Sequence, residues 1–162
     1  PIGTPWVILH ETVHIWNAND RSNWTREGLA NFVSYLMMKK YNFKFRRGST
    51  YRAWINSWRR TMGTVKDKGL YYNGRDNYYT VRQGKAMDFF AILYQQFGIV
   101  IIKDILLKGI RNKRFSDRDL KFLLINKYKY NYTNRLLKGW ITPGSYVIRK
   151  ASDAGGIKYP LP

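Results

Sequence analysis

The chain has 162 residues, enough for one domain with a sizeable core, and 44% of them are apolar, which excludes a disordered tail. It has no cysteine, which excludes disulfides, thiolate zinc fingers and a cysteine nucleophile. The net charge of +19 fits nucleic acid, an anionic membrane surface or an acidic partner, but the basic residues are spread along the chain. A solvated basic surface is therefore the simpler interpretation of the charge.

The sequence contains no stretch of the roughly 20 consecutive apolar residues that a membrane-spanning helix requires. It also has no recognisable signal peptide. Because the chain begins with Pro1 and not with Met, we expect the natural N-terminus to lie upstream. An exported or membrane-associated location therefore stays open.

The predicted elements are almost all helices. Apolar residues at helical spacing predict helices over 6–17 and 25–41, separated by a polar turn. A third helix is predicted from five large apolar residues at helical spacing, which are Tyr51, Trp54, Ile55, Trp58 and Met62. The segment that follows, 63–77, has the composition of a loop.

Glycines and a capping pattern divide the second half of the chain. Helices are predicted over 80–97, ended by Gly98, and over 99–108, ended by Gly109. Ser116, with Asp119 three residues later, begins a further helix with a pattern like a capping box. A last short helix ends near Trp140. We therefore predict a mainly α fold of about six helices over 1–145, followed by a coil tail over 146–162.

Both histidines of the chain lie in the stretch HETVHIWN. On a helix, His10 and His14 share a face, so that both imidazoles can bind one ion. Glu11 can accept a proton from a water that attacks a carbonyl group and later pass it to the leaving amine. This HExxH pattern predicts a metallopeptidase zinc site, and the alternative is an ordinary helical histidine pair with an exposed glutamate.

The third ligand is predicted from the scarcity of glutamate. The chain has only two glutamates, Glu11 and Glu27, and both lie with the two histidines inside 18 residues. Glu27 is therefore the natural third ligand, with Asp20, six residues after His14, as the alternative at the position that metzincin-like enzymes use. Asp20 could instead orient a ligand, as could Asn31, one helical turn after Glu27.

The stretch HETVHIWN followed by WTREGLANFVSY resembles the gluzincin zinc metallopeptidases, and especially the aminopeptidase-N type and the glycyl aminopeptidases. These families combine HExxH with WxxEGxA. The matching positions are His10, Glu11, His14, Trp16, Asn17, Trp24, Glu27, Gly28, Ala30 and Tyr35. The resemblance implies the helical lobe of a thermolysin-like zincin, with one zinc ion bound by His10, His14 and Glu27 and with Glu11 as the general base.

Weaker similarity continues in RQGKAMDFFAILYQQFG, which resembles the helix that follows the catalytic tyrosine in these enzymes. The family's tyrosine position, three residues before Gly84, is Val81 here. The resemblance therefore leaves Tyr78 and Tyr79 as candidate hydrogen-bond donors to the oxyanion. The twelve residues between His14 and Glu27 are also fewer than in the aminopeptidase-N pattern.

Only nine residues precede His10, whereas the family's substrate-binding sheet lobe lies upstream of this helix. We therefore expect the chain to be the C-terminal helical half of a peptidase, partnered by a companion N-terminal segment or chain and by a peptide or protein substrate. Two alternatives remain. One is a zinc-binding domain that no longer cleaves, and the other is a basic nucleic-acid-binding module with interleaved aromatic residues, whose helical spacing favours packing.

Overall fold

The structure, a computed structural model, describes residues 5–16, 23–43, 70, 83–112 and 115–129. The helices of these residues are α1 (Pro5–Trp16), α2 (Asn23–Lys40), α3 (Ala86–Asn112) and α4 (Asp117–Asn126). No strand occurs among the described residues, and the prediction of a mainly α fold is confirmed. The predicted helix from Tyr51 to Met62, the one ending near Trp140 and the coil tail all lie outside them.

Helix α3 is two helices joined at a kink. Gly98 has φ 68° and ψ −164°, a conformation that only glycine adopts without strain, so the predicted break at Gly98 is confirmed. The predicted end at Gly109 is wrong, because α3 continues to Asn112 and Gly109 is buried within it. A glycine inside a helix costs about 1 kcal/mol. The burial of Ile101, Ile102 and Ile105 in the same half of α3 outweighs that cost.

Helix α2 lies at the centre of the described fold and packs against both α1 and α3. Residues 28–35 of α2 are all buried, as are residues 83–93 in and just before α3. Trp24 joins the two helices through its ring contacts with Phe89 and Phe90, at centroid distances of 5.4 and 6.2 Å. A helix buried on every side has no polar face. The polar side chains within these stretches, such as Asn31 and Gln83, are therefore unusual.

The backbones of α2 and α3 touch at Gly28. A Cβ atom built on Gly28 would lie 2.6 Å from the Cβ of Ala86 and 2.7 Å from its carbonyl carbon. No side chain larger than hydrogen fits at this position without moving one of the helices. The glycine therefore sets the separation of α2 and α3 at the point where Glu27 emerges from α2.

Helix α4 begins with the predicted capping box. The Ser116 hydroxyl accepts a hydrogen bond from the Asp119 backbone N–H, and the Ser116 N–H donates to the Asp119 carboxylate, at 3.3 and 3.0 Å. Within the described ranges, no helix has the length and apolar character needed to cross a membrane.

The residues after α4 are attached to α3 through Asp104. Its carboxylate accepts hydrogen bonds from the Lys127 ammonium at 2.8 Å and from the Tyr128 hydroxyl at 2.5 Å, and the Tyr128 ring packs on Phe97. Partial burial raises the pKa of Asp104, but these two hydrogen bonds outweigh the effect and hold the pKa below its usual value. The Asp104 carboxylate in turn raises the pKa of Tyr128, together with the larger effect of burial.

We predict that Gly28→Ala lowers the free energy of unfolding by about 1–3 kcal/mol, because the new methyl group overlaps Ala86. Helix propensity alone would act in the opposite direction, by about 1 kcal/mol. Urea denaturation followed by circular dichroism measures the difference. Gln96→Ala, at an exposed position of α3, is the control and should change stability by less than about 0.5 kcal/mol. A Gly28→Ala protein as stable as the wild type would contradict the close contact.

We predict that Asp104→Asn destabilises the protein at pH 7 and that the difference from wild type shrinks toward pH 3. The folded-state pKa of Asp104 lies below its unfolded value. Its contribution is therefore fully present above the unfolded pKa and is lost as the pH falls through the folded pKa. Urea denaturation of both proteins at pH 7 and pH 3 tests this. An equal difference at both pH values would mean that the Asp104 charge contributes nothing.

Candidate metal centre

Three side chains from two helices converge on one point. The Nε2 atoms of His10 and His14 are 2.9 Å apart. The His10 Nε2 lies 3.4 Å from one Glu27 carboxylate oxygen, and the His14 Nε2 lies 3.5 Å from the other. One ligand atom from each of the three side chains lies within 4.8 Å of the others. These three described residues could therefore hold a metal ion together.

The helices place these side chains through simple spacing. His10 and His14 are buried on one face of α1, and their rings meet edge to face at 89° with centroids 4.5 Å apart. Trp6, one turn before His10, packs against the His10 ring at a centroid distance of 5.0 Å. Glu27 comes from the second turn of α2, where α2 packs against α1. Rigid helices, and not loops, therefore carry all three side chains.

The donor set and its spacing fit zinc. Zinc binds imidazole nitrogen and carboxylate oxygen at about 2.0–2.2 Å in tetrahedral geometry, so neighbouring ligand atoms lie about 3.3 Å apart. The 2.9 Å between the two Nε2 atoms is close to that value, and these nitrogens lie 3.4 and 3.5 Å from different oxygens of the Glu27 carboxylate, which thus faces both imidazoles. A hydrogen-bonded His–His–Glu cluster is the alternative, since one Nε2–H could bond the other Nε2 or the carboxylate. Metal titration separates the two interpretations.

The protonation states favour metal binding. Burial lowers the pKa of His14 and outweighs the nearby Glu27 carboxylate, which raises it, so the imidazole stays neutral near pH 7. Burial raises the pKa of Glu27, but the hydrogen bond with His10 and the charges of the two histidines outweigh it and lower the pKa below its usual value. A neutral imidazole and an ionised carboxylate are the forms that ligate zinc.

The other predicted site residues have different positions. Glu11 is exposed on α1, and its negative charge acts on His14 by raising that residue's pKa. Asn31 is fully buried and contacts Gln83. Asp20, Tyr78 and Tyr79 lie outside the described residues, so their roles stay predictions.

Sequence reasoning missed Gln83 and Arg26. Gln83 donates a hydrogen bond from Nε2 to the Glu27 carboxylate at 3.2 Å, across 56 positions of sequence. The positive charge of Arg26 lowers the pKa of His14. No spacing rule links Gln83 to Glu27. The one signal in the sequence was the weak resemblance of RQGKAMDFFAILYQQFG to the helix that follows the catalytic tyrosine in gluzincins.

Comparison with protein-family models, with curated protein sequences and with solved structures finds no match for this chain.

We predict that the purified protein binds about one zinc ion per chain and that Glu27→Ala abolishes the binding, because two histidines alone leave the site without its anionic ligand. The metal content after dialysis, measured by mass spectrometry, tests this. At a free zinc concentration of 100 times Kd, binding should add about 2.7 kcal/mol to the stability of the wild type.

Asp104→Asn, which removes a carboxylate from a different part of the protein, is the control and should keep the zinc. Asp20→Ala tests the alternative third ligand. Loss of zinc in Asp20→Ala but not in Glu27→Ala would overturn the assignment of Glu27. An absence of zinc binding by the wild type would favour the hydrogen-bonded cluster.

Proposed function

We propose that this chain carries the zinc centre of a metallopeptidase of the gluzincin type and hydrolyses peptide bonds. The observation that carries the proposal is the convergence of His10, His14 and Glu27 on one point. The chain has no other histidine, and its one other glutamate, Glu11, is next to His10. The cluster thus holds both histidines and one of the two glutamates of a strongly basic chain, and the other glutamate adjoins it in the sequence.

Each residue of the group has a role in this reaction. His10, His14 and Glu27 would hold the ion, which would supply a Lewis acid for the substrate carbonyl and the attacking water. Glu11 accepts the proton of that water and passes it to the leaving amine. The two histidines are buried while Glu11 is exposed, which leaves the Glu11 carboxylate accessible to water and to a substrate.

The tetrahedral intermediate carries a negative oxygen that needs a hydrogen-bond donor. Tyr79 and Tyr78 precede Gln83 by four and five positions in the sequence, and Gln83 bonds directly to Glu27. A phenol from either residue would donate to the oxyanion, and loss of such a donor typically costs about 10²–10³-fold in kcat. The assignment of one of these two tyrosines as the donor is part of the proposal.

We predict that Glu11→Gln keeps wild-type zinc content but lowers kcat/KM for peptide hydrolysis by at least about 10²-fold, because the amide cannot accept the proton. The substrate is a mixed peptide library, and mass spectrometry of new termini detects cleavage. The full-length natural protein is used. Cleavage should stop when a chelator removes the zinc and return when zinc is restored.

Lys39→Gln, at an exposed position near the end of α2, is the control for surface charge and should leave turnover unchanged. Full activity in Glu11→Gln would overturn the role of Glu11. Zinc binding by a wild-type protein that cleaves no peptide in the library would instead favour a zinc-stabilised interaction domain.

A further inference from the structure

Gln83 is buried and donates a hydrogen bond to Glu27, a ligand in the proposed metal site. Its side chain lies in the π-helical turn over 83–85, directly before α3, and is 6% exposed. Its Nε2 donates to Glu27 Oε2, the same oxygen that lies 3.4 Å from the His10 Nε2. One carboxylate oxygen of Glu27 is thus held between α1 and the start of α3. Single π-helical turns are frequent at functional sites.

Asn31 fixes the orientation of the Gln83 amide. Asn31 is fully buried one turn after Glu27 on α2, and its Nδ2 donates to the Gln83 Oε1. An ionised carboxylate can only accept hydrogen bonds, so Gln83 must present its Nε2 to Glu27 and its Oε1 to Asn31. Asn31 must then donate. The charge of Glu27 therefore sets the direction of the whole chain of hydrogen bonds.

The fold brings Gln83 to Glu27 through the contact of α2 with α3. Gly28 directly follows Glu27, and Ala86 lies three residues after Gln83. A Cβ atom on Gly28 would be 2.6 Å from the Ala86 Cβ. The backbone contact between Gly28 and Ala86 is thus close in sequence to both partners of the hydrogen bond. A side chain as short as glutamine reaches the carboxylate because the backbones touch there.

We propose that Gln83 is a positioning residue for the metal site, and that Asn31 acts through Gln83 to keep the Glu27 carboxylate in its ligating orientation. The inference rests on the proposed zinc site. An unsupported glutamate would lose side-chain freedom when it binds the ion. The Gln83 hydrogen bond orders the carboxylate beforehand, so less of the binding free energy is spent on ordering. Loss of such a supporting partner typically weakens metal affinity about 10–100-fold.

The test compares the zinc affinities of the wild type, Gln83→Met and Gln96→Met by competition with a chelating dye at one pH and ionic strength. Methionine keeps the length of glutamine and removes the donor. Gln96, an exposed glutamine of α3, is the matched control. We expect Gln83→Met to weaken zinc binding about 10–100-fold and Gln96→Met to leave it unchanged.

Two further measurements separate positioning from a purely structural role. The visible absorption of the Co²⁺-loaded protein reports on ligand geometry, and we expect it to change in Gln83→Met while the far-ultraviolet circular dichroism does not. Asn31→Leu should weaken zinc binding less than Gln83→Met does. The double variant should be no weaker than Gln83→Met alone, because Asn31 acts through Gln83. If Gln83→Met does not fold, Asn31→Leu with the same two readouts decides the question.

The outcomes separate this inference from the proposed function. A wild type that binds zinc, with Glu27→Ala losing it and Gln83→Met unchanged in affinity and in Co²⁺ spectrum, overturns the role of Gln83 alone. A wild type that binds neither zinc nor cobalt overturns both the site and its support. Additive losses in the double variant would overturn the dependence of Asn31 on Gln83.

Discussion

The contact between Gly28 and Ala86 is the constraint on which the rest of the described structure depends. It sets how closely α2 and α3 approach, and it lies next to Glu27 on one helix and near Gln83 on the other. A hydrogen bond weakens steeply once its donor and acceptor part beyond about 3.5 Å. The 3.2 Å bond between Gln83 and Glu27 therefore has little tolerance for a wider spacing. The close spacing of α2 and α3 at Gly28 is therefore needed both for helix packing and for the hydrogen bond to Glu27.

Burial explains why the polar residues around this contact are informative. Residues 28–35 and 83–93 are buried without interruption, and such segments gain stability when they are apolar. A buried polar group without a partner costs about 1–3 kcal/mol. The Asn31 Nδ2 and both polar atoms of the Gln83 amide have partners, in each other and in Glu27, whereas the Asn31 Oδ1 is buried with no hydrogen-bond partner among the described residues. Their partners form a chain that ends at a carboxylate beside two histidines, which is a more specific arrangement than two helices need for packing.

Features that depend on residues close together in the chain could be predicted from the sequence. Helical spacing predicted that His10 and His14 share a face, the scarcity of glutamate singled out Glu27, and a capping pattern predicted the start of α4 at Ser116. The features that the sequence analysis got wrong or missed depend on contacts between residues far apart in the chain. Gly109 does not end its helix because tertiary packing overrides a propensity of about 1 kcal/mol. Gln83 reaches Glu27 across 56 positions, and no periodicity within one element encodes that distance.

The net charge makes the local order of the site more important. A chain of +19 repels a divalent cation at long range, although salt screens exposed charges over about 8–10 Å. Arg26 adds a positive charge close enough to lower the pKa of His14. Of the three candidate ligands, only Glu27 is an acidic residue, so the attraction of the proposed site for a cation would have a single charged source. Affinity in so basic a protein must then come from short-range geometry. A carboxylate that Gln83 orders in advance, facing the two histidines on a rigid helix, would meet that need without further negative charge.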